Sequence, residues 1–569
     1  MFLSVLKTLG ILAIVAILRA QGLTEVDQEI LDKFIERGMQ CRNIPGMAVS
    51  IVKDGDIVLA KGYGVKDNTK EGNITEHTRF NIASITKHFT ALLSATFINQ
   101  TSNGLEQGFD TTVKNVLGPE FAFWDTQRTE HSTLRDLLSH KMGFPYRDLL
   151  LKTGGLSKEQ ILRRIHHMEP VSAPRVDFTY SNIMYMLVGH MLEKLGKKSW
   201  EDLMSERIFE PVGMVNSTFL DDVPSVEWEN NFAKPHMEFE NITNPIAYES
   251  VKVIGAVGAG ASICTTASDM AEWQKLLLNT GNLDGKQVIN GALISEAMRG
   301  SYAAHGAYIA TKPYFPETFS KDLYGLGFYT GYYRGLPIVY HEGSVPGYTS
   351  FLLLIPSHNI SIFTTTNKGG LNSLNYATQL FTADLLMGYT PWLNQTNVCT
   401  YPQQYQPPVT NNLPDGSSNN ITTNPLIEYA GIYGSYMSGV CTVELLKLNG
   451  IEFLQLKYGI GTFNLLPTNI NDTFVAKGSG LTWYLDIGTV VFSERADGTG
   501  MQQLTLPLAE RQFHVTFRKD IDGTKVPPPE KPAVPTCPPM ATLTSNAGLV
   551  QAYTMHATLH IIFAVAILT

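Results

Sequence analysis

Ser84 and Lys87 stand three residues apart in the run Phe80-Asn81-Ile82-Ala83-Ser84-Ile85-Thr86-Lys87-His88-Phe89-Thr90-Ala91. On a helix that spacing puts both side chains on one face, so the lysine can reach the serine oxygen. A serine hydroxyl is a poor nucleophile at neutral pH and needs a base beside it. A lysine that loses solvent has a lowered pKa, and its neutral amine can then take the hydroxyl proton. The spacing alone does not decide this. Ser4/Lys7 and Ser50/Lys53 repeat it, the first in an apolar leader and the second just before an Asp-Gly turn. A helix cap followed by an exposed lysine gives the same letters.

Partners occur downstream. Phe178-Thr179-Tyr180-Ser181-Asn182 holds the only Tyr-x-Asn of the chain. A phenol beside a cation can carry a proton, and an asparagine amide can hold both a lysine and a substrate amide. Val339-Tyr340-His341-Glu342-Gly343-Ser344-Val345-Pro346-Gly347-Tyr348 is a β-rich run entering a Gly/Pro turn. Taken singly, Tyr180 also reads as a core tyrosine, Asn182 as a helix cap and His341 as a satisfied strand residue.

Taken together and in this order, Ser-x-x-Lys, Tyr-Ser-Asn and His-x-Gly resemble the serine β-lactamase and DD-peptidase (penicillin-binding protein) superfamily. The branch most resembled is that of class C β-lactamases, D-aminopeptidases and esterases. Thr133 to Gly143, Ile208 to Met214 and Gly258 to Met270 support the likeness, which runs from about residue 30 to about residue 390. The resemblance implies that Ser84 is the acylated nucleophile, that Lys87 activates it alone or with Tyr180, and that Tyr180 passes the proton to the leaving group. It implies that Asn182 orients Lys87 and substrate, and that His341, Gly343 and Ser344 belong to the substrate-binding strand. The Ser84 and Ser344 N–H groups would form the oxyanion hole. Two departures stand out. His341 replaces the more common lysine, so any charge it lends should vary with pH. Glu342 stands where relatives that bind carboxylates usually have Thr or Ser, and from inside the pocket it would repel a carboxylate. Lys368-Gly369-Gly370 is a weaker rival for the third motif, lacking the Gly-Tyr block.

At 569 residues, with 44% hydrophobic and 17% charged residues, the chain is long enough for two or more domains with a large core. Its net charge of −9 and the lack of any Arg/Lys run speak against nucleic acid. No Walker loop, His-Glu-x-x-His or Cys-x-x-Cys is present, so neither a metal nor a nucleotide cofactor is indicated. Residues 1–20 read as a signal peptide. Thr544 to Gly548, a spacer and an apolar tail from Ala557 have the layout of a GPI-anchor signal, so a membrane tether is expected. Eight Asn-x-Ser/Thr sequons, at Asn73, Asn99, Asn216, Asn241, Asn359, Asn394, Asn420 and Asn471, suit a glycosylated secreted protein. Of the five cysteines, Cys399 and Cys441 are a candidate pair tying the linker to the last domain.

The expected architecture is α+β. A β-lactamase/DD-peptidase-like domain over 25–392, an antiparallel sheet flanked by helices plus an all-helical part, comes first. An Asn/Pro/Gln/Ser-rich linker (393–425) follows, then a small all-β barrel-like domain (426–520), which resembles the lipocalin-like domain appended to several relatives. A Pro-rich stalk (521–546) and the anchor propeptide (547–569) complete the chain. The function implied is that of an extracellular serine hydrolase acting on an amide or ester bond of a small molecule or peptide. The alternative is a catalytically silent matrix or adhesion protein of the same fold.

Overall fold

Gly46–Lys53 (β1) is buried on both faces along most of its length, which is why it reads as an unbroken apolar run. It forms an antiparallel hairpin with Asp56–Gly64 (β2) across Asp54-Gly55, the turn expected from sequence. These strands belong to one eight-stranded sheet in a computed structural model that describes residues 23–70, 72–98, 104–146, 152–222, 230–304, 319–370, 373–402, 422–494, 500–507 and 514–529. The expected leader, the anchor signal, most of the linker and most of the stalk lie outside the described residues.

The remaining strands of that sheet are Tyr302–Ala303 (β3), Leu323–Tyr324 (β4), Tyr329–Tyr333 (β5), Leu336–Val345 (β6), Tyr348–Ile355 (β7) and Ile360–Thr366 (β8). Their order is β3-β4-β5-β6-β7-β8-β1-β2, antiparallel throughout. Period-two alternation splits the side chains between two cores. Met47, Val49, Ile51, Tyr340, Phe351 and Leu353 pack under helices Glu25–Cys41 (α1) and Ser373–Leu386 (α6), where Phe34 stacks on Phe381 at 3.9 Å. Ala48, Leu352, Leu354 and Phe363 face the other way, onto a larger core with helices Thr86–Ile98 (α2), Asn182–Gly196 (α4) and Ala267–Leu278 (α5). Helix Leu134–Leu138 (α3) starts at the expected Thr133 cap, where Thr133 and Asp136 form a reciprocal capping box.

The last strands close into an eight-stranded antiparallel barrel, from Gly431–Ser435 (β9) to His514–Arg518 (β16), with Gly434 opposite Arg518 at the seam. Its interior is filled by side chains such as Leu454, Leu456, Phe463, Phe474, Phe492, Leu504 and Phe517. These residues form one continuous apolar cluster with the core of the first domain. The joint is specific. The Arg164 guanidinium donates to Tyr436 O at 2.7 Å and Gly523 O at 2.8 Å. Ile460 N–H donates to Thr153 O at 2.8 Å, Ser250 Oγ to Leu481 O at 2.9 Å, and Phe239 meets Trp483 edge-on. Gly155 and Gly459 have no room for a Cβ, which would lie 2.4 Å from the Tyr458 ring and 2.1 Å from Thr153 O respectively.

The cysteines pair differently from the sequence expectation. Cys41, ending α1, is bonded to Cys399, with Cα atoms 5.7 Å apart. Arg42 brings the segment after α6 to this place by donating to Val398 O. Cys441 instead lies buried inside the barrel on Gly439–Leu448 (β10). Peptide mapping without reductant is expected to recover the Cys41 and Cys399 peptides linked, with Cys441 alkylated only after unfolding. A Cys399–Cys441 peptide would contradict this packing.

Candidate active site

From Asn81 to Thr90 every residue is buried except Ser84. The short sheet Phe80–Asn81, Ile263–Thr265 and Thr218–Phe219 fixes the approach to it. Asn81 then ties the turn, accepting from Ala83 N–H at 2.9 Å and donating to Ala261 O at 3.0 Å and Ile263 O at 3.2 Å. Ala83 is held at φ +49°, a left-handed conformation that costs a non-glycine residue about 1 kcal/mol or more. The strain turns the chain so that Ser84 faces outward at the head of α2 while Lys87 points inward.

Lys87 Nζ lies 3.1 Å from Ser84 Oγ, 2.5 Å from Asn182 Oδ1 and 3.0 Å from Gly260 O. It is fully buried and forms no ion pair among the described residues, and burial pushes its pKa well below that of free lysine. A neutral amine has two N–H donors and one lone pair. Asn182 Oδ1 and Gly260 O can only accept, so they take both donors and leave the lone pair toward Ser84. Tyr180 O–H donates to the same Ser84 Oγ at 2.8 Å. Burial raises the Tyr180 pKa, outweighing the Ser84 hydrogen bond, so Tyr180 is a phenol rather than a cation-stabilised phenolate.

Strand β6 supplies the opposite wall. His341 Nδ1–H donates to Glu342 O at 2.6 Å, which leaves Nε2 to accept from Tyr324 O–H at 3.2 Å. Burial, then the neighbouring Lys87, pushes the His341 pKa down to about 3. The imidazole is therefore neutral at physiological pH, correcting the expectation of a pH-dependent charge there. Gly343 is where β6 abuts the nucleophile turn. A Cβ there would lie 2.3 Å from Ile82 O and from Ser350 Oγ, and Ser350 Oγ itself donates to Ile82 O at 2.7 Å. Ser344 follows, exposed.

Glu342 lies opposite Phe351 in the strand register, on the face that carries α6, and its carboxylate is ion-paired with Lys321. Lys321 in turn sits over the Tyr376 ring of α6. The rival motif lies elsewhere, since Lys368 pairs with Glu238 and donates to Arg42 O at 2.8 Å. The structure thus brings Ser84, Lys87, Tyr180, Asn182, His341, Gly343 and Ser344 to one place. Sequence reasoning missed Gly260 O, the acceptor opposite Asn182, and His88. His88 is buried, stacked on Phe328 at 4.0 Å and edge-on to His341 at 5.5 Å, with neither ring nitrogen hydrogen-bonded among the described residues. A histidine adjoining the lysine in an otherwise apolar helix start was the available signal. Among the described residues no group of three or more His, Cys, Asp or Glu is placed to hold a metal.

Two measurements test this packing. Gly343→Ala is expected to lower stability in urea unfolding by about 1–3 kcal/mol, because backbone and Ser350 cannot both move aside. Ser344→Ala, at an exposed position, should stay within about 0.5 kcal/mol. Between pH 6.5 and 3 the unfolded chain binds a proton at residue 341 and the folded chain does not. Stability should therefore fall as pH drops through that window, by up to about 1.4 kcal/mol per pH unit from this group. His341→Gln is expected to flatten the dependence.

Comparison with known proteins places this geometry in a family. The family model described as Beta-lactamase matches residues 31–385. The unguisins hydrolase ungD' of Aspergillus campestris is 28% identical over 367 residues, 63% of this chain and 63% of that protein. Protein flp of Staphylococcus aureus is 26% identical over 353 residues, 61% of this chain and 64% of that protein. The chain thus spans about two thirds or less of the length of these two relatives. The octameric penicillin-binding protein homologue of Pyrococcus abyssi superposes with a TM-score of 0.55 at 21% identity, covering 87% of this chain and all of that one. The D-amino acid amidase of Ochrobactrum anthropi SV3 does so with a TM-score of 0.50 at 18% identity, over 64% of this chain and 98% of that one. At these identities the two structures speak to fold alone. The chain belongs to the Beta-lactamase family.

Proposed function

We propose that this protein is a serine hydrolase that cleaves an amide or ester through an acyl-enzyme on Ser84. The observation that carries the reading is the buried Lys87 amine 3.1 Å from Ser84 Oγ, its N–H groups accepted by Asn182 Oδ1 and Gly260 O. As Ser84 Oγ bonds to the carbonyl carbon, its proton passes to Lys87 Nζ and the carbonyl π pair moves onto oxygen. When the carbon–leaving-group bond breaks, the leaving group takes a proton from the Tyr180 phenol, which recovers one from Lys87. Water then adds to the acyl carbon and gives a proton to the neutral Lys87. Collapse frees Ser84, which regains that proton, and releases the acid. Donors aimed at the oxyanion would contribute about 3–4 kcal/mol each in such a site.

The reading extends to place. Of the sequon asparagines among the described residues, Asn73, Asn241, Asn394 and Asn471 are exposed, and Asn216 and Asn359 are half-buried. None is buried. With the disulfide and the apolar leader, this supports an extracellular protein, and the sequence layout at the C-terminus supports a GPI tether. Hydrolase relatives such as the unguisins hydrolase support a small-molecule or peptide substrate.

Intact-mass spectrometry after fluorophosphonate treatment tests the chemistry. One adduct at Ser84 is expected, lost in Ser84→Ala and slowed about a hundredfold or more in Lys87→Met. The labelling rate of the native protein should fall as pH drops through the lowered Lys87 pKa, because the amine is then protonated. A folded protein that resists the probe across this range would sink the hydrolase reading.

A further inference from the structure

His140 stands where a helix commonly ends on glycine. It follows α3 in the left-handed region, at φ +59°. Its own N–H donates to Leu137 O and the Lys141 N–H donates to Asp136 O, the paired bonds that close a helix around a left-handed residue. Glycine takes that conformation without the steric penalty that a side chain meets. Here the position carries a fully buried imidazole instead.

The residue clasps the segment that enters α4. Residues 178–181 belong to no helix or strand, and the Ser181 side chain makes no capping bond to α4. Thr179 N–H donates to His140 O at 3.0 Å, and Ser181 N–H donates to His140 Nδ1 at 3.1 Å. These two bonds stand on either side of Tyr180. Acceptance through Nδ1 means that this nitrogen carries no proton. Among the described residues His140 is also the nearest ring to that of Tyr180, with centroids 4.2 Å apart against 6.0 Å for Tyr146 and 6.5 Å for His341. The imidazole packs in addition against Phe178, Tyr185 and Tyr324 at 5.5, 5.2 and 5.1 Å. Tyr185 O–H donates to Leu138 O at 2.6 Å, which ties the end of α3 to α4. Asn182 lies within α4, whereas Tyr180 lies in the irregular stretch that His140 holds.

We propose that His140 is a positioning residue for Tyr180, fixing the phenol where it can protonate a leaving group. The proposal rests on the acyl-transfer reading and assigns one step of it to a residue that touches neither Ser84 nor Lys87. The Tyr180 proton matters in proportion to the basicity of the group that leaves. A departing phenoxide takes the proton, whereas p-nitrophenoxide is stable without it. Release of the clasp therefore costs little with a p-nitrophenyl ester and much with a phenyl ester. Attack by Ser84 is served by Lys87 and continues. A displacement of about 1 Å at a reacting group can cost about a hundredfold in rate.

The test follows hydrolysis of p-nitrophenyl acetate and phenyl acetate, with each kcat/KM divided by the hydroxide rate constant of the same compound. Tyr180→Phe sets the reference and is expected to lower phenyl acetate turnover about tenfold or more beyond its effect on p-nitrophenyl acetate. His140→Gly keeps the left-handed backbone and removes the imidazole. It should reproduce most of that selective loss, while p-nitrophenyl acetate turnover and fluorophosphonate labelling of Ser84 stay within about threefold of native. His140→Asn tolerates positive φ and places Oδ1 where Nδ1 stood, so it should bring the ratio back to within about threefold of native. Adding His140→Gly to Tyr180→Phe should leave the ratio where Tyr180→Phe alone put it. If thermal unfolding shows that His140→Gly does not fold, His140→Gln reads the same ratio, because its acceptor lies one bond further out. Equal loss on both esters in a folded variant, no loss on either, or a native protein no faster on phenyl acetate than Tyr180→Phe would overturn the positioning role. With Ser84 still taking up fluorophosphonate, each of these leaves the hydrolase reading standing. Absence of that adduct in the native protein would overturn both.

Discussion

The structure depends on a buried lysine amine that has no counter-charge among the described residues. Lys87 is fully buried, its amine held between Asn182 Oδ1 and Gly260 O. Burial disfavours an ammonium in such a place, and in the neutral amine the remaining lone pair has a direction. Helix α4 supplies Asn182, the Gly258–Ala261 segment supplies the carbonyl, and α2 supplies the lysine. Moving any of these elements would leave a buried polar group unpaired, which couples the helical part of the fold to the chemistry of one nitrogen.

The same economy of charge extends along β6. His341 replaces the more common lysine of the strand, and burial keeps it neutral, so it contributes hydrogen bonds to Tyr324 and Glu342 rather than a field. His88 stands behind it, buried and neutral for the same reason. A site assembled from neutral bases stabilises negative charge on a substrate only through directed N–H groups.

The barrel is a part of the first domain's stability rather than a loosely tethered module. Its apolar core runs on into that of the first domain, and buried Arg164 satisfies two barrel-side carbonyls at once. The segments it grips are Thr153 to His167 and Phe239 to Ser250. Met237, two residues before the second, accepts from Gly347 N–H of the β6–β7 turn through Sδ at 3.3 Å.

Much of this was written in local sequence. The Asp54-Gly55 hairpin, the Thr133–Asp136 cap, the period-two strands of the barrel and the three ordered motifs each depend on residues a few positions apart, so spacing and residue type suffice to find them. Sequence also located Ser84, Lys87, Tyr180, Asn182 and His341 as a set, because each lies in a short block of recognisable chemistry. What sequence could not decide depends on burial and on contacts between distant segments. The neutrality of His341 follows from the layers packed over β6, not from its neighbours in the chain. Glu342 turned out to face α6 and Lys321, because strand alternation assigns its face only once the register with Phe351 is set. Cys41 and Cys399 are 358 residues apart and meet only because α1 and α6 lie side by side. Local sequence determined which groups could react. The tertiary packing, by removing water, decided their charge.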